Sequence, residues 1–171
     1  MKKLFLASAI ALMGATTVNA QSGNFKVGAH VGLPVGDLSA AYVFNVGADV
    51  SYILNVSENF NLGLTTGYSH YFGEELEVNN SPLLKIPDFG LVPIAVTGEY
   101  LFTPKVYLGT DLGYAFFTNA DKGADNGALY YQPKIGYKFG ASEVYVGYKG
   151  MSKDGESLSS INLGYAFTIG K

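Results

Sequence analysis

Four lysines and four carboxylates stand at alternate positions within otherwise apolar stretches: Lys26, Lys134, Lys138 and Lys149 against Asp49, Glu99, Asp111 and Glu143. With a period of two these groups would share one face of a sheet, not one face of a helix. Equal numbers of opposite charges in one enclosure suit mutual neutralisation in a hydrogen-bonded network. Two histidines, His30 and His70, have the chemistry for proton transfer or ligand binding. Glu74, Glu75 and Glu77 form an acidic run, and Asp121, Asp125 and Asn126 a second oxygen-rich cluster; such donors suit Ca²⁺ or Mg²⁺. The spacing of an EF-hand is absent, so both read as solvated loop segments. No phosphate-cradling glycine loop, metal-binding helix motif or nucleophile elbow occurs. No catalytic, metal or cofactor site is therefore expected.

The elements that must position these groups are strands, because apolar and polar residues alternate through almost the whole chain after residue 20. Eight stretches carry the pattern: Asn24–Leu33, Tyr42–Leu54, Phe60–Phe72, Phe89–Phe102, Val106–Phe117, Leu129–Phe139, Glu143–Gly150 and Leu158–Gly170. In the first, Phe25, Val27, Ala29, Val31 and Leu33 share one face, and Lys26, Gly28, His30 and Gly32 the other. The connections run long, short, long, short: Pro34–Ala41, Asn55–Asn59, Gly73–Asp88, Thr103–Lys105, Thr118–Gly127, Gly140–Ser142, then the longer Met151–Ser157. That rhythm predicts an all-β, eight-stranded antiparallel up-and-down transmembrane β-barrel, with long loops outside the cell and short turns in the periplasm.

Residues 1–20 read as a signal peptide: Lys2 and Lys3, an apolar stretch from Leu4 to Ala15, and Val18-Asn19-Ala20 as the cleavage site. One domain, residues 21–171, is expected after cleavage at Ala20. Without its first two lysines the chain has nine cations, all Lys, against fourteen carboxylates, so no basic nucleic-acid footprint is present. Cysteine is absent, which excludes disulfides, thiolate metal sites and a lipoprotein anchor. No later stretch approaches the apolar length of a membrane-spanning helix. The chain is expected to finish with the eighth strand, without an appended domain.

Alternation alone does not say which face is outside, since a soluble lipocalin-like barrel alternates too. Bulk decides. An eight-stranded barrel has an interior just wide enough for side chains to fill, and the apolar face carries Phe25, Phe44, Tyr52, Phe60, Tyr68, Tyr100, Phe102, Tyr114, Phe116, Tyr131, Tyr137, Phe139, Tyr148, Tyr165 and Phe167. The other face is rich in glycine, as a narrow, curved lumen requires. The charged groups then point inward, as a polar plug. Asp111 is expected opposite Lys134, with Lys138 and Glu143 flanking a tight turn. His30 reads as a lumen hydrogen-bonder. His70 would face lipid; a lipid-deacylating site would need a serine beside it, but Ser69 points the other way. Gly98 interrupts the lipid face without a reason in the sequence.

The Gly-x-Gly strands, the Val92-Pro93-Ile94-Ala95-Val96 run and Leu163-Gly164-Tyr165-Ala166-Phe167 give Gln21–Lys171 a texture that resembles the small outer-membrane β-barrel proteins of the OmpA-transmembrane/OmpX-like group, closest to the outer-membrane β-barrel domain proteins of Bacteroidota. The resemblance implies a Gram-negative outer-membrane location and no particular activity. The expected role is non-enzymatic, structural or in surface interaction; a narrow pore or small-ligand carrier is the alternative, with a lipid-modifying enzyme or a soluble periplasmic barrel behind it. Expected partners are outer-membrane lipid and lipopolysaccharide, and the barrel-assembly machinery during biogenesis, with no nucleic acid. The longest loop carries Glu74, Glu75 and Glu77, then Leu83, Leu84 and Ile86; it is either a surface-interaction site or a cover for the barrel mouth.

Overall fold

In the computed structural model, residues 23–76, 84–118, 127–153 and 155–169 are described. The eight long strands are β1 (Gly23–Val35), β2 (Tyr42–Asn55), β3 (Phe60–Gly73), β6 (Phe89–Leu101), β7 (Val106–Phe117), β8 (Gly127–Phe139), β9 (Ser142–Lys153) and β10 (Glu156–Ile169). The short strands β4 (Glu75–Leu76) and β5 (Leu84–Lys85) pair with each other outside the wall, within the longest connection. The eight long strands form a closed barrel in the order β1-β10-β9-β8-β7-β6-β3-β2, so each strand pairs with its sequence neighbour and β1 closes on β10. Every pairing is antiparallel. Closure leaves no sheet edge, so wall amides find partners across strands, a condition that backbone facing lipid must meet.

One end of the barrel, the turn end, carries both ends of the described chain and the short links 56–59, 102–105 and 140–141. Gly140 has φ +67°, a left-handed conformation that suits glycine and lets a two-residue turn join β8 to β9. The other end, the loop end, carries the 3₁₀ turn Gly36–Ala40 and the β4–β5 hairpin. Two of the expected connections are corrected there. Strand one continues through Pro34 to Val35. The expected loop Met151–Ser157 is mostly strand, because β9 runs to Lys153 and pairs with Glu156. Gly155, at φ +91°, makes the turn tight, and Asp154-Gly155 is itself a hairpin signal.

The faces separate as the alternation requires. Among the described side chains, no Lys, Asp or Glu occupies an outward position of the eight wall strands, where Leu33 is 66% and Leu163 58% exposed. Inward positions are buried, and their occupants include Lys26, His30, Asn45, Asn61, Ser69, Glu99, Asp111, Gln132, Glu143, Lys149 and Asn162. Pro93 and Pro133 sit within wall strands, where a missing amide breaks the ladder. Pairing is interrupted beside each of them, between β3 and β6 and between β8 and β9. The Thr66 hydroxyl donates to the Pro93 carbonyl at 2.8 Å, which restores one bond at the first gap.

The lumen is not filled by glycine and charge alone. Tyr71, Tyr107, Tyr130 and Tyr145 also point inward and are buried. Glycines on neighbouring strands make the room: a Cβ on Gly136 would lie 2.3 Å from the Tyr107 ring, and one on Gly164 2.2 Å from the Tyr145 ring. At the loop end Leu38, Tyr71, Leu91, Ala95, Ala115, Ala128, Tyr130 and Met151 form an apolar cluster, joined by Tyr42, Phe89, Phe117 and Leu158. Tyr71 stacks on Phe89 with ring centroids 4.5 Å apart. The 3₁₀ turn matters here because it lowers Leu38 into this cluster.

Gly98 differs from these buried glycines. A Cβ there would only touch the Phe60 ring, at 3.8 Å. Gly98→Ala is therefore expected to stay within about 0.5 kcal/mol of the parent stability. Gly136→Ala should lose about 1–3 kcal/mol, because the Tyr107 ring must shift in a packed interior. Urea unfolding of the two variants in detergent micelles, read by circular dichroism, checks both values.

Candidate functional site

The inward residues assemble into layers along the lumen. Nearest the turn end, the Lys26 ammonium donates to Glu99 Oε1 at 2.5 Å and to Glu143 Oε2 at 2.9 Å. The Lys138 ammonium donates to Glu99 Oε2 at 2.8 Å. Tyr107 Oη donates to Glu143 Oε1 at 2.9 Å, and Asn61 Nδ2 to Glu99 Oε2 at 3.3 Å. Both ammonium groups also lie over the Tyr107 ring, at 5.6 and 4.7 Å from its centroid, where the π face favours a cation. Six strands meet in this one network: β1, β3, β6, β7, β8 and β9.

At mid-depth Lys134 bonds both oxygens of Asp111, at 2.9 and 2.8 Å. Their pairing is diagonal, which corrects the expected register: Asp111 lies opposite Gln132, and Lys134 opposite Gly109. Lys138 and Glu143 are direct cross-strand partners, yet their charged ends reach to Glu99 and Lys26. A side chain in a narrow lumen can reach across the barrel as easily as along the wall.

Above this lies a layer that sequence reasoning did not assemble. His30 Nδ1 is 2.7 Å from Asp49 Oδ2, and His30 Nε2 is 3.0 Å from Ser69 Oγ. This connectivity matches that of a serine nucleophile, its base and the carboxylate that orients the base. A fourth group changes its meaning. The Lys149 ammonium, on β9, lies 2.9 Å from His30 Nε2 and 2.8 Å from Ser69 Oγ. An ammonium only donates, so Nε2 accepts from it and Nδ1–H donates to Asp49. The lone pair that a base would offer Ser69 is thus engaged by a cation. Ser69 is fully buried, with Lys149 1% exposed beside it, which leaves no place for an acyl group. The layer acts as a four-strand clamp. Its sequence signal was weak because His30, Asp49, Ser69 and Lys149 lie on four strands, and only register brings them together.

Toward the loop end polar groups give way to the apolar cluster. Tyr71 Oη and Ser160 Oγ are 3.1 Å apart, and Asn162 Nδ2 donates to Ser160 Oγ at 2.9 Å. Between the ionic layers a cavity of about 30 Å³ touches Asp49, Thr65, Glu99, Asp111 and Glu143, enough for a water molecule. At the turn end the lumen opens into a vestibule of about 440 Å³ lined by Asn24, Asn55, Glu58, Asn61, Lys138 and Ser142 among others. Among the described residues, the lumen is therefore open at the turn end, narrow and polar in the middle and lined by apolar side chains at the loop end.

The remaining candidate residues stay apart from this network. His70 faces outward at the loop end, 3.1 Å from Tyr68 Oη and 3.3 Å from Asp88 Oδ2, with Ser69 on the opposite face. The Glu74 amide donates to the Ala41 carbonyl, and the Ile86 amide to the Glu74 carbonyl, which ties the long connection to the rim. Glu75 and Leu84 belong to the small hairpin. Glu77, Leu83, Asp121, Asp125 and Asn126 lie outside the described residues.

No protein-family model matches the chain, and no curated protein matches it. Solved structures do. The Yersinia pestis outer membrane protein Ail in a phospholipid bilayer nanodisc is similar over 86% of this chain and 100% of its own, with TM-score 0.60 and 11% identity. The designed barrel TMB2.3 is similar over 90% and 100%, with TM-score 0.57 and 14% identity. The N-terminal β-barrel domain of Pseudomonas aeruginosa OprF is similar over 88% and 100%, with TM-score 0.53 and 12% identity. At these identities the likeness speaks for the fold, and the fold of this chain is that of the small eight-stranded outer-membrane β-barrel proteins.

Proposed function

We propose that the chain is a non-enzymatic barrel of the Gram-negative outer membrane, exported by a signal peptide cleaved after Ala20, with a plugged lumen and a structural or surface-interaction role. The observation that carries this reading is the opposition of the two faces. Among the described side chains, the outward face has no Lys, Asp or Glu on any wall strand, while the ammonium and carboxylate groups within the lumen bond one another or His30 and Ser69. A lysine facing lipid at mid-depth would cost about 2–4 kcal/mol, so the arrangement suits a bilayer around the wall and protein within it. Outer-membrane lipid and lipopolysaccharide are the corresponding partners, with the barrel-assembly machinery engaged during insertion.

The filled lumen favours this role over a pore. Among the described residues, an ion entering at the turn end meets the Lys26–Glu99–Lys138 network, then the Lys149–His30 layer, then the cluster around Tyr71 and Phe89, and the cavity between the ionic layers holds about one water. Surface interaction would fall to the loop-end segments, including Glu74 and Ile86. Ail has been crystallised with the heparin analogue sucrose octasulfate. Polyanion binding does not carry over easily to this chain, which has no Arg and more carboxylates than cations.

Refolded in detergent, the mature chain is expected to run faster on a gel unheated than boiled, and to give no steady current in a planar bilayer. A sustained single-channel current would defeat the plugged reading. A chain that stayed soluble and monodisperse without detergent would defeat the membrane reading. The plug also has an energetic signature. Glu99→Gln removes the anion that the buried Lys26 and the part-buried Lys138 share, and should cost about 3–5 kcal/mol, read as a lower urea midpoint in micelles.

A further inference from the structure

The vestibule at the turn end, about 440 Å³, has donors on its floor and a free carboxylate at its rim. The floor is the ionic layer. Glu99 Oε2 accepts from Lys138 Nζ at 2.8 Å and from Asn61 Nδ2 at 3.3 Å, so these two donors stand side by side on one oxygen. An ammonium has three hydrogens and an amide nitrogen two; Glu99 takes one from each. The Tyr107 ring, 4.7 Å from the Lys138 ammonium, holds that cation without being a hydrogen-bond acceptor in the lumen network. Lys138 and Asn61 both line the vestibule, so the hydrogens that Glu99 leaves over are available to a guest. Lys26 and Glu143 line it too, but they bond each other, and Lys26 also bonds Glu99 and Glu143 also Tyr107.

The rim carries the opposite charge. Glu58, in the link between β2 and β3, is exposed, lines the same cavity and has no side-chain partner among the described residues. The amides of Asn24 and Asn55 add donors and acceptors to the wall. Within the floor, Lys26 and Lys138 cancel Glu99 and Glu143, so Glu58 leaves the vestibule with a net negative charge. A simple anion would find donors at the floor and repulsion at the rim. A simple cation would find the reverse. A molecule that carries both charges suits both ends.

We propose that the vestibule binds a small zwitterion of the amino acid class, its carboxylate on the remaining hydrogens of Lys138 and Asn61 and its ammonium toward Glu58. The guest enters from the turn end and stops at the ionic layer, so binding needs no passage through the lumen. The fold holds both ends of the site in advance, which lowers the ordering cost of binding. Lys138 is fixed by Glu99 and Tyr107. Glu58 sits in a tight link in which the Val56 and Ser57 amides both donate to the Phe60 carbonyl at 3.0 Å. The site goes beyond the structural role proposed above and does not depend on what surrounds the wall.

Saturation-transfer NMR on the refolded barrel in an uncharged detergent tests the proposal, with glycine as the zwitterion and acetate and methylammonium as its separate halves. Wild type should bind glycine more tightly than either half. Glu58→Gln should weaken glycine about threefold, the scale of an exposed ion pair, and leave acetate no weaker. Lys138→Gln should weaken glycine and acetate alike, by about tenfold. Asp37→Asn, which alters an exposed carboxylate at the loop end, should change neither. Glycine binding no tighter than that of acetate or methylammonium in wild type would overturn the site. Unchanged glycine binding in Glu58→Gln or in folded Lys138→Gln would do the same, as would an equal loss in Asp37→Asn. Gel migration before and after heating verifies that each variant is folded; if Lys138→Gln is not, the exposed Glu58→Gln decides.

Discussion

Closure of β1 onto β10 is the constraint from which the other features follow. A sheet closed on itself leaves no open edge, so the wall can stand in lipid. It also forces every second side chain into a tube of fixed width. Inside that tube, water is scarce and a charge needs an opposite charge or a hydrogen-bonding partner within reach. Glu99 illustrates the consequence: it receives Lys26 from β1, Lys138 from β8 and Asn61 from β3. Residues far apart in the chain are thereby tied across the lumen, and these bonds brace the wall that encloses them.

The tyrosines explain how so narrow a space is filled. Tyr107 and Tyr145 lie over Gly136 and Gly164 on adjacent strands, so ring and missing side chain fit together, and each hydroxyl reaches a carboxylate of the polar layers. The same economy appears outside, where Phe60 covers Gly98. Glycine on a wall strand is weak by propensity; here it admits a neighbour's ring. Toward the loop end the strategy changes from ion pairs to stacked aromatics and methionine, which suits a mouth that closes without charge.

The Asp49–His30–Ser69 alignment shows why geometry alone does not establish catalysis. Distances within the triad suit proton transfer, but Lys149 donates to both the imidazole and the hydroxyl. A donor in that position turns a base into an acceptor already in use. Burial of Ser69 has the same effect from the steric side. The four residues hold β1, β2, β3 and β9 together at one level of the barrel, a task for which a satisfied polar network is well suited.

Strand number, strand type and the outward face could be read from the chain itself, because a period of two over long stretches admits few other structures, and the aromatic bulk of one face does not fit within eight strands. The inward location of Lys26, Asp49, Glu99 and Lys149 came from the same alternation. Which carboxylate each lysine would meet could not be read. Lys138 and Glu143 are neighbours in register but bond elsewhere, and Lys134 reaches Asp111 diagonally. The long strand extensions at Lys153 and Glu156 were hidden by their polarity, since strands that emerge from a membrane lose the alternation that marks them within it. Tertiary structure alone decided the His30–Lys149 clamp and the apolar cluster at the loop end, for a physical reason: each depends on how far side chains reach across a closed tube, and the order of residues along a strand fixes only the face.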